Sequence, residues 1–162
     1  MAVLRNTSNT NIERTVFESF FCYSKDMKTV LMAVAVVKDQ DKILLRKMDP
    51  AKSPYKELWA LFGGRIDGEG SVEDLLNKEL RQRWNFTIRI SDRLWWDEEL
   101  KVDRDGEEKR FVYIDAICEV ETGEPNPVNE NEILEWVSSS ELASYDLNPP
   151  SRTLLKRLEY VS

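Results

Sequence analysis

The sequence contains no histidine, and this absence removes several kinds of chemistry. Ser-His-Asp and Cys-His nucleophilic sites, His-ligated zinc or haem, and imidazole acid–base catalysis are all excluded. Only two cysteines are present, Cys22 and Cys118, and they lie too far apart in the sequence to form a CxxC pair. This pattern argues against a zinc site built on cysteine and favours a reducing compartment.

Glycine and proline are also scarce, six of each in 162 residues, which excludes collagen-like and low-complexity classes. The longest apolar run, Val30 to Val37, is much shorter than the roughly 20 residues that span a bilayer. The first residues, MAVLRNTSNTNIERT, have neither the apolar core of a signal peptide nor an Arg-rich amphipathic pattern. We therefore expect a cytoplasmic protein that does not enter membranes.

Acidic residues outnumber basic ones, 30 against 23, and the formal net charge is −7. Proteins that bind long nucleic acids place Lys and Arg against phosphate, so this class of partner is disfavoured. A small phosphate-containing ligand stays compatible with the composition, because a metal ion or a few basic side chains can match its charge locally.

The length suits one globular domain. We expect a polar N-terminal tail over residues 1–11 and a single domain over residues 12–162. A strand is predicted at Thr15 to Tyr23, where β-branched and aromatic residues are frequent. The order of elements indicates an α/β (α+β) fold with helices packed on a sheet. The further predicted elements are strands at 30–37, 43–46, 58–62, 89–96, 111–120 and 135–137, a glycine turn at 63–64, a helix that begins at Ser71 with Asp74 in a capping box, a hairpin turn at 105–106, and a helix over 151–160.

The stretch Gly63 to Phe86 reads GGRIDGEGSVEDLLNKELRQRWNF. It resembles the Nudix box, GGx5Ex7REUxEExGU, in which U is a bulky aliphatic residue. The flanking segments are similar to the family as well: VLMAVAVVKDQDKILLRK to its opening hairpin, LWALFGG to the strand that enters the box, and NENEILEWVSSSELASYDLNPPS to its closing segment. The resemblance covers roughly residues 28 to 158. It implies the Nudix fold, a mixed β-sheet sandwiched between helices, and metal-dependent hydrolysis of a nucleoside diphosphate linked to another group.

Several positions depart from the box when Gly63 and Gly64 are aligned with its two glycines. Glu79 is kept, but the two positions that would add carboxylates to the same helix face hold Gln82 and Arg83. A guanidinium a few ångströms from a dication costs on the order of several kcal/mol, so we expect weak binding of Mg²⁺ or Mn²⁺. The other departures are Gly70 at the first glutamate, Lys78 at the arginine and Asn85 at the last glycine.

Three interpretations of this helix face stay open. In the first, the protein is a weak Nudix-type pyrophosphohydrolase, in which Glu79 and a neighbouring carboxylate hold one metal ion and the substrate phosphates complete its coordination. In the second, Lys78 and Arg83 replace the metal and bind phosphate directly, which gives a catalytically silent nucleotide-binding or protein-interaction module. In the third, Glu79 and Arg83 form an ordinary ion pair on a helix that only packs. The carboxylates that could assist Glu79 are Glu69 as a metal ligand, and Glu73 and Glu132 as catalytic groups, with a mobile acidic loop as the alternative for Glu132.

The remaining candidates follow from the same resemblance. Arg46 lies where related proteins contact substrate phosphate, and Asn148 lies where MutT-type relatives read a purine edge. The alternative for Arg46 is an ordinary exposed arginine at a strand end. The alternative for Asn148 is a turn residue that leads into a helix. Trp95 and Trp96 would face opposite sides of a strand, so one is expected in the core and the other on a base or in an interface. A homodimer is compatible with the resemblance. The candidate substrate-binding set is completed by Gly63, Gly64, Arg65, Lys78 and Arg83.

Overall fold

The structure is a computed structural model that describes residues 27–51, 55 and 57–162. Within these residues the chain forms seven strands and two α-helices. The polar tail and the strand predicted at Thr15 to Tyr23 lie outside the described residues. The elements are β1 (Thr29–Asp39), β2 (Lys42–Lys47), β3 (Trp59–Ala60), β4 (Phe62–Arg65), α1 (Val72–Trp84), β5 (Phe86–Val102), β6 (Glu108–Gly123), β7 (Ile133–Ser138), a 3₁₀ turn (Leu142–Ser144) and α2 (Pro149–Arg157).

Strand β1 organises the sheet. It pairs in parallel with β6 along nearly its whole length, and its other edge pairs antiparallel with β4 and then with β2. Strand β2 also pairs with β3 and β7, and β6 also pairs with β5. The resulting order β3-β2-β1-β6-β5 leaves β5 at one edge of the described sheet. Parallel and antiparallel pairs therefore occur together, as expected for a mixed sheet.

The two helices cover opposite faces of the sheet. Successive residues of a strand point to opposite faces, so β1 contributes to two separate cores. One core lies under α1 and the other under α2, which confirms the predicted α+β arrangement of a mixed sheet between helices. The core under α1 contains Ala33, Ala35, Val37, Leu76, Leu80 and Trp84, and the core under α2 contains Val36, Ile43, Leu45, Leu154 and Leu155.

Helix α1 begins and ends as the sequence predicts. The Ser71 hydroxyl accepts a hydrogen bond from the Asp74 backbone N–H at 3.1 Å, and the Asp74 carboxylate accepts one from the Ser71 backbone N–H at 3.1 Å. This reciprocal capping box satisfies two donors that the first turn would otherwise leave unpaired. At the other end Asn85 adopts a left-handed conformation, with φ of 60°, that stops the helix.

The bounds of several predicted elements are wrong. The predicted strand 58–62 is divided into β3 and β4, because one part pairs with β2 and the other with β1. Strands β5 and β6 are longer than predicted, because their mutual pairing includes polar residues that lack a strand pattern. Helix α2 begins at Pro149 and ends at Arg157, because Asn148 is its N-cap. Among the described residues, no helix combines the length and the apolar character that crossing a membrane requires.

Candidate functional site

A guanidinium group joins two carboxylates at the C-terminal half of α1. Arg83 Nη1 donates to Glu79 Oε1 at 2.7 Å, and Arg83 Nη2 donates to Glu132 Oε1 at 3.0 Å. The first contact is the ion pair that the helical spacing predicts. The second comes from the segment before β7, where Glu132 is buried with only 6% of its surface exposed. A mobile, solvated loop at Glu132 is therefore the wrong alternative.

Trp84 holds the second oxygen of Glu132. Its indole Nε1 donates to Glu132 Oε2 at 2.8 Å, and the ring is fully buried. The guanidinium groups of Arg83 and Arg46 lie 4.2 and 4.9 Å from the centroid of this ring, within the range of cation–π attraction. Sequence reasoning did not select Trp84. The available signal was that a buried indole N–H needs an acceptor, and an unassigned acidic residue can supply one.

Arg46 lies beneath this cluster on β2. Its Nε donates to the Leu61 carbonyl at 3.0 Å, and its Nη2 donates to the Gly63 carbonyl at 3.1 Å. Burial, together with the positive charge of Arg83, lowers the pKa of Arg46 to about 10, so the side chain stays charged at neutral pH. An exposed strand-end arginine is therefore the wrong alternative. Within the described part of the chain, Arg46 Nη1 has no hydrogen-bond partner.

The glycine pair of β4 lies directly beside Glu79. Gly63 has φ of +146°, and a Cβ there would lie 2.1 Å from the Ala33 carbonyl oxygen, so no side chain fits. At Gly64 a Cβ would lie 3.3 Å from a carboxylate oxygen of Glu79. The structure thus brings together six of the candidates in one place: Arg46, Gly63, Gly64, Glu79, Arg83 and Glu132.

The donor set of this cluster does not fit a divalent cation as it is arranged. Glu79 and Glu132 both accept hydrogen bonds from Arg83, and the Gly63 carbonyl accepts one from Arg46. Two guanidinium groups already neutralise the two carboxylates and would repel a dication. In the residues that the structure describes, no group of three or more Asp, Glu, Cys or His side chains is placed to hold a metal ion.

The box position of the first glutamate is also closed to an acidic side chain. Gly70 occupies it with φ of +130°, a conformation in which an L side chain is strained. Its neighbour Glu69, a candidate metal ligand, is exposed in the loop before α1. Glu73 serves another purpose, because its carboxylate accepts a hydrogen bond from the Ile90 backbone N–H of β5 at 2.7 Å. The structure therefore does not bring Glu69 or Glu73 into contact with the cluster.

Three of the predicted substrate-binding residues lie outside the cluster. Arg65 is ion-paired with Asp103 in the β5–β6 turn at 3.0 Å. Lys78 is exposed on α1, one position before Glu79. Asn148 is the N-cap of α2, and its side-chain oxygen accepts a hydrogen bond from the Ser151 N–H at 3.0 Å. A role for any of them toward a ligand stays a prediction.

Comparison with known families decides the ancestry of this arrangement. The family model of the NUDIX domain matches residues 27–158, which is most of the chain. The chain belongs to the Nudix family. The nucleoside triphosphatase NudI of Escherichia fergusonii is 27% identical over 135 residues, which cover 80% of this chain and 96% of that relative. The protein of the same name from Salmonella typhimurium is 26% identical over 135 residues.

Solved Nudix structures share the fold. A MutT NUDIX hydrolase from Burkholderia pseudomallei superposes with a TM-score of 0.62 at 21% identity, covering 81% of this chain and 98% of that one. A NUDIX hydrolase from Nitrosomonas europaea gives the same TM-score at 14% identity, covering 82% of this chain and 89% of that one. Nudix hydrolases generally use divalent cations. In this Nudix chain the Arg83 guanidinium lies between the carboxylates of Glu79 and Glu132.

Proposed function

We propose that this Nudix protein is a pyrophosphohydrolase of small nucleotides whose turnover is weak because Arg83 occupies the space between its two remaining carboxylates. Membership of the family and the length shared with relatives named nucleoside triphosphatases support the class of reaction. The observation that carries the proposal is the bridge from Glu79 through Arg83 to Glu132. It keeps the residues of a phosphoanhydride site together and restrains both carboxylates.

The reaction in question adds water to one phosphorus and releases the other phosphate with the bridging oxygen. Glu132 is the candidate proton acceptor, but both of its oxygens already accept hydrogen bonds, from Arg83 and Trp84. A carboxylate so occupied is poorly placed to take a proton from water. Arg46 supplies a buried positive charge beside the glycine pair and one N–H that lacks a partner within the described residues. Such a donor suits a phosphate oxygen.

The test is hydrolysis of nucleoside triphosphates, ADP-ribose, dinucleoside polyphosphates and sugar nucleotides, with Mg²⁺, Mn²⁺ or EDTA. We expect slow turnover by the unmodified chain that is abolished in Glu79→Gln. In Gln82→Glu/Arg83→Glu the guanidinium is removed and carboxylates return to the same helix face, so turnover with Mg²⁺ should rise by roughly 10-fold or more, because a metal ion can then stabilise the transition state. Mg²⁺ should also raise the melting temperature of this double variant, since a ligand of the folded state stabilises it.

Arg81→Glu is the matched control, because Arg81 is an exposed arginine on the same helix and its substitution changes the net charge as Arg83→Glu does. We expect Arg81→Glu to turn over at the rate of the unmodified chain and to show no Mg²⁺-dependent melting temperature. The proposal is wrong if the unmodified chain hydrolyses none of these substrates and the double variant binds Mg²⁺ without gaining turnover.

The second candidate is a metal-independent nucleotide-binding module. It is favoured by one observation, the balance of charge in the cluster, where two arginines and two glutamates neutralise one another without a cation. Exposed Lys78 would then meet the phosphates. Nucleotide binding in EDTA that Lys78→Glu weakens and Arg81→Glu leaves unchanged, with no turnover in any metal, would support this module over the hydrolase.

A further inference from the structure

An apolar surface is exposed on the β5–β6 hairpin. It lies on the same face of the sheet as α1, beyond the part that the helix covers. Leu94, Trp96, Leu100 and Val102 alternate along β5, and their exposed fractions are 54, 70, 49 and 65%. Leu31 of β1 is 44% exposed. We call these five residues the hairpin patch. So much exposed apolar side chain on one face of a sheet is unusual in a surface that only meets water.

Strand register places the patch on the same face as the core under α1. Trp96 is paired with Ile114, which is paired in turn with Ala33, a member of that core. Directly paired residues point to one face of a sheet, so the patch continues the core beyond the reach of the helix. Asp97, Glu99 and Lys101 carry charge on the opposite face, and Glu98 is the one charged residue of β5 on the patch face between Leu94 and Val102. The hairpin is thus amphipathic and lacks a cover on its apolar side among the described residues.

The described chain begins next to this patch. The Lys28 carbonyl accepts a hydrogen bond from the Arg110 N–H at 3.0 Å, and the Lys28 ammonium is ion-paired with Glu107 in the hairpin turn. Residues 1–26 precede this point. They include Thr15 to Tyr23, for which the sequence predicts a strand of nine residues. Alternate positions of that strand would place Phe17, Phe21 and Tyr23 on one face.

The dimensions of segment and patch agree. Nine extended residues span about 30 Å, and the path along β5 from Leu94 to Val102 is about 26 Å. Strands β1 and β5 lie two strand spacings apart, about 10 Å. The four residues 24–27 reach about 13 Å when extended, which is enough to carry the chain from β1 across to the patch.

We propose that Thr15 to Tyr23 covers the hairpin patch of its own chain, with its phenylalanine and tyrosine face against Trp96 and its neighbours. A second copy of the chain is the less suitable occupant. Two patches packed face to face about a two-fold axis through their centre would bring the two Glu98 carboxylates together in an apolar interface, where like charges are unfavourable. The N-terminal segment is joined to the patch by a few residues, so its effective concentration there is high.

The test uses the full chain with a nitroxide spin label on Cys22. Burial raises the pKa of the Cys118 thiol to about 12, so Cys118 is protonated and does not react under labelling conditions. We expect the label to remove most of the NMR signal intensity of the Trp96 indole N–H and of the amides of residues 94–102. The indole of Trp59, on β3 at the other edge of the sheet, should keep its intensity.

Two variants and one mixture decide the outcome. Phe17→Asp/Phe21→Asp should restore the Trp96 signal, whereas Phe20→Asp, on the other face of the predicted strand, should leave it broadened. In the mixture, an isotope-labelled Cys22→Ser chain is combined with spin-labelled chain of natural isotope content. Broadening of the Trp96 signal in this mixture would show that a second copy covers the patch, and would overturn the proposal. An unchanged Trp96 signal in the spin-labelled chain itself would overturn it as well.

Discussion

Arg83 places a positively charged side chain between two carboxylates, in a family whose members generally use divalent cations. Its two terminal nitrogens donate to two different carboxylates, at 2.7 and 3.0 Å, and its planar group lies over Trp84. A guanidinium supplies fixed directions for hydrogen bonds but only a single charge. It can therefore organise Glu79 and Glu132 as a divalent cation would, while polarising a phosphate much less.

Asn85 offers a test of the residue that ends α1. Its left-handed backbone costs little for Asn and nothing for Gly, but an alanine there meets the steric penalty of that conformation. We expect Asn85→Gly to unfold at nearly the same denaturant concentration as the unmodified chain. Asn85→Ala should lower the free energy of unfolding by about 1 kcal/mol. Urea unfolding measures both. Equal losses in the two variants would instead assign the role of Asn85 to its side-chain hydrogen bond with the Asn126 carbonyl.

The residues of the site were predictable from sequence only where they are near neighbours. Glu79 and Arg83 are four positions apart, so helical spacing predicts their contact. Glu132 lies 49 positions from Arg83, and its burial depends on Trp84, which occupies an unconstrained position of the box. The burial of Arg46 depends on how β2 packs against β4, and no local pattern carries that information. Sequence therefore predicted the candidates and the contact within the helix, but not the contacts between residues far apart in the chain.

At the scale of elements, those with a strong local sequence signal were predicted correctly. The lengths of strands that depend on pairing with another segment were not. The capping box and apolar stripe determine α1 within its own residues, and the apolar runs of β1 and β2 determine a hairpin. The outer halves of β5 and β6 contain charged residues and are strands only because each pairs with the other. The lengths of β5 and β6 could not be predicted from either segment alone, because they depend on the pairing between the two.

Asn148 is the N-cap of α2, and variants of this residue can distinguish a structural role from contact with a ligand. Its side chain caps the helix, so Asn148→Ala should lower the free energy of unfolding by about 1 kcal/mol. Asn148→Ser keeps a capping oxygen and should restore most of that stability. Thermal unfolding and nucleotide affinity are measured on both variants. If Asn148→Ser is stable but binds nucleotide as poorly as Asn148→Ala, the amide also contacts the ligand.

At the scale of the molecule, a charged cluster links α2 to the long hairpin. Arg157 is ion-paired with exposed Asp97 and lies 3.9 Å from buried Asp115, on the face of the sheet opposite the hairpin patch. Burial raises the pKa of Asp115 from 3.8 to about 6; the charge of Arg157 opposes this shift and that of Asp97 adds to it. Hydrogen bonding to Arg157 lowers the pKa of Asp97. The pKa values of two carboxylates that face one arginine are thus shifted in opposite directions.

The sign of the expected pH dependence follows from the protons that each state binds. Between about pH 4 and pH 6 the folded chain holds a proton on Asp115 that the unfolded chain has released, so the Asp115 contribution to stability falls as the pH rises. Asp115→Asn removes this effect, and we expect its melting temperature to exceed that of the unmodified chain by a few degrees at pH 8 and by less at pH 4. Asp97→Asn should show the opposite trend, because the stabilising contribution of the Asp97 carboxylate is present above about pH 4 and is lost only as the pH falls through its lowered pKa. Thermal unfolding of the three proteins from about pH 2 to pH 8 measures both differences. If the unmodified chain instead gains stability over Asp115→Asn as the pH rises, the attraction of Arg157 outweighs the burial of Asp115, and the direction assigned here is wrong.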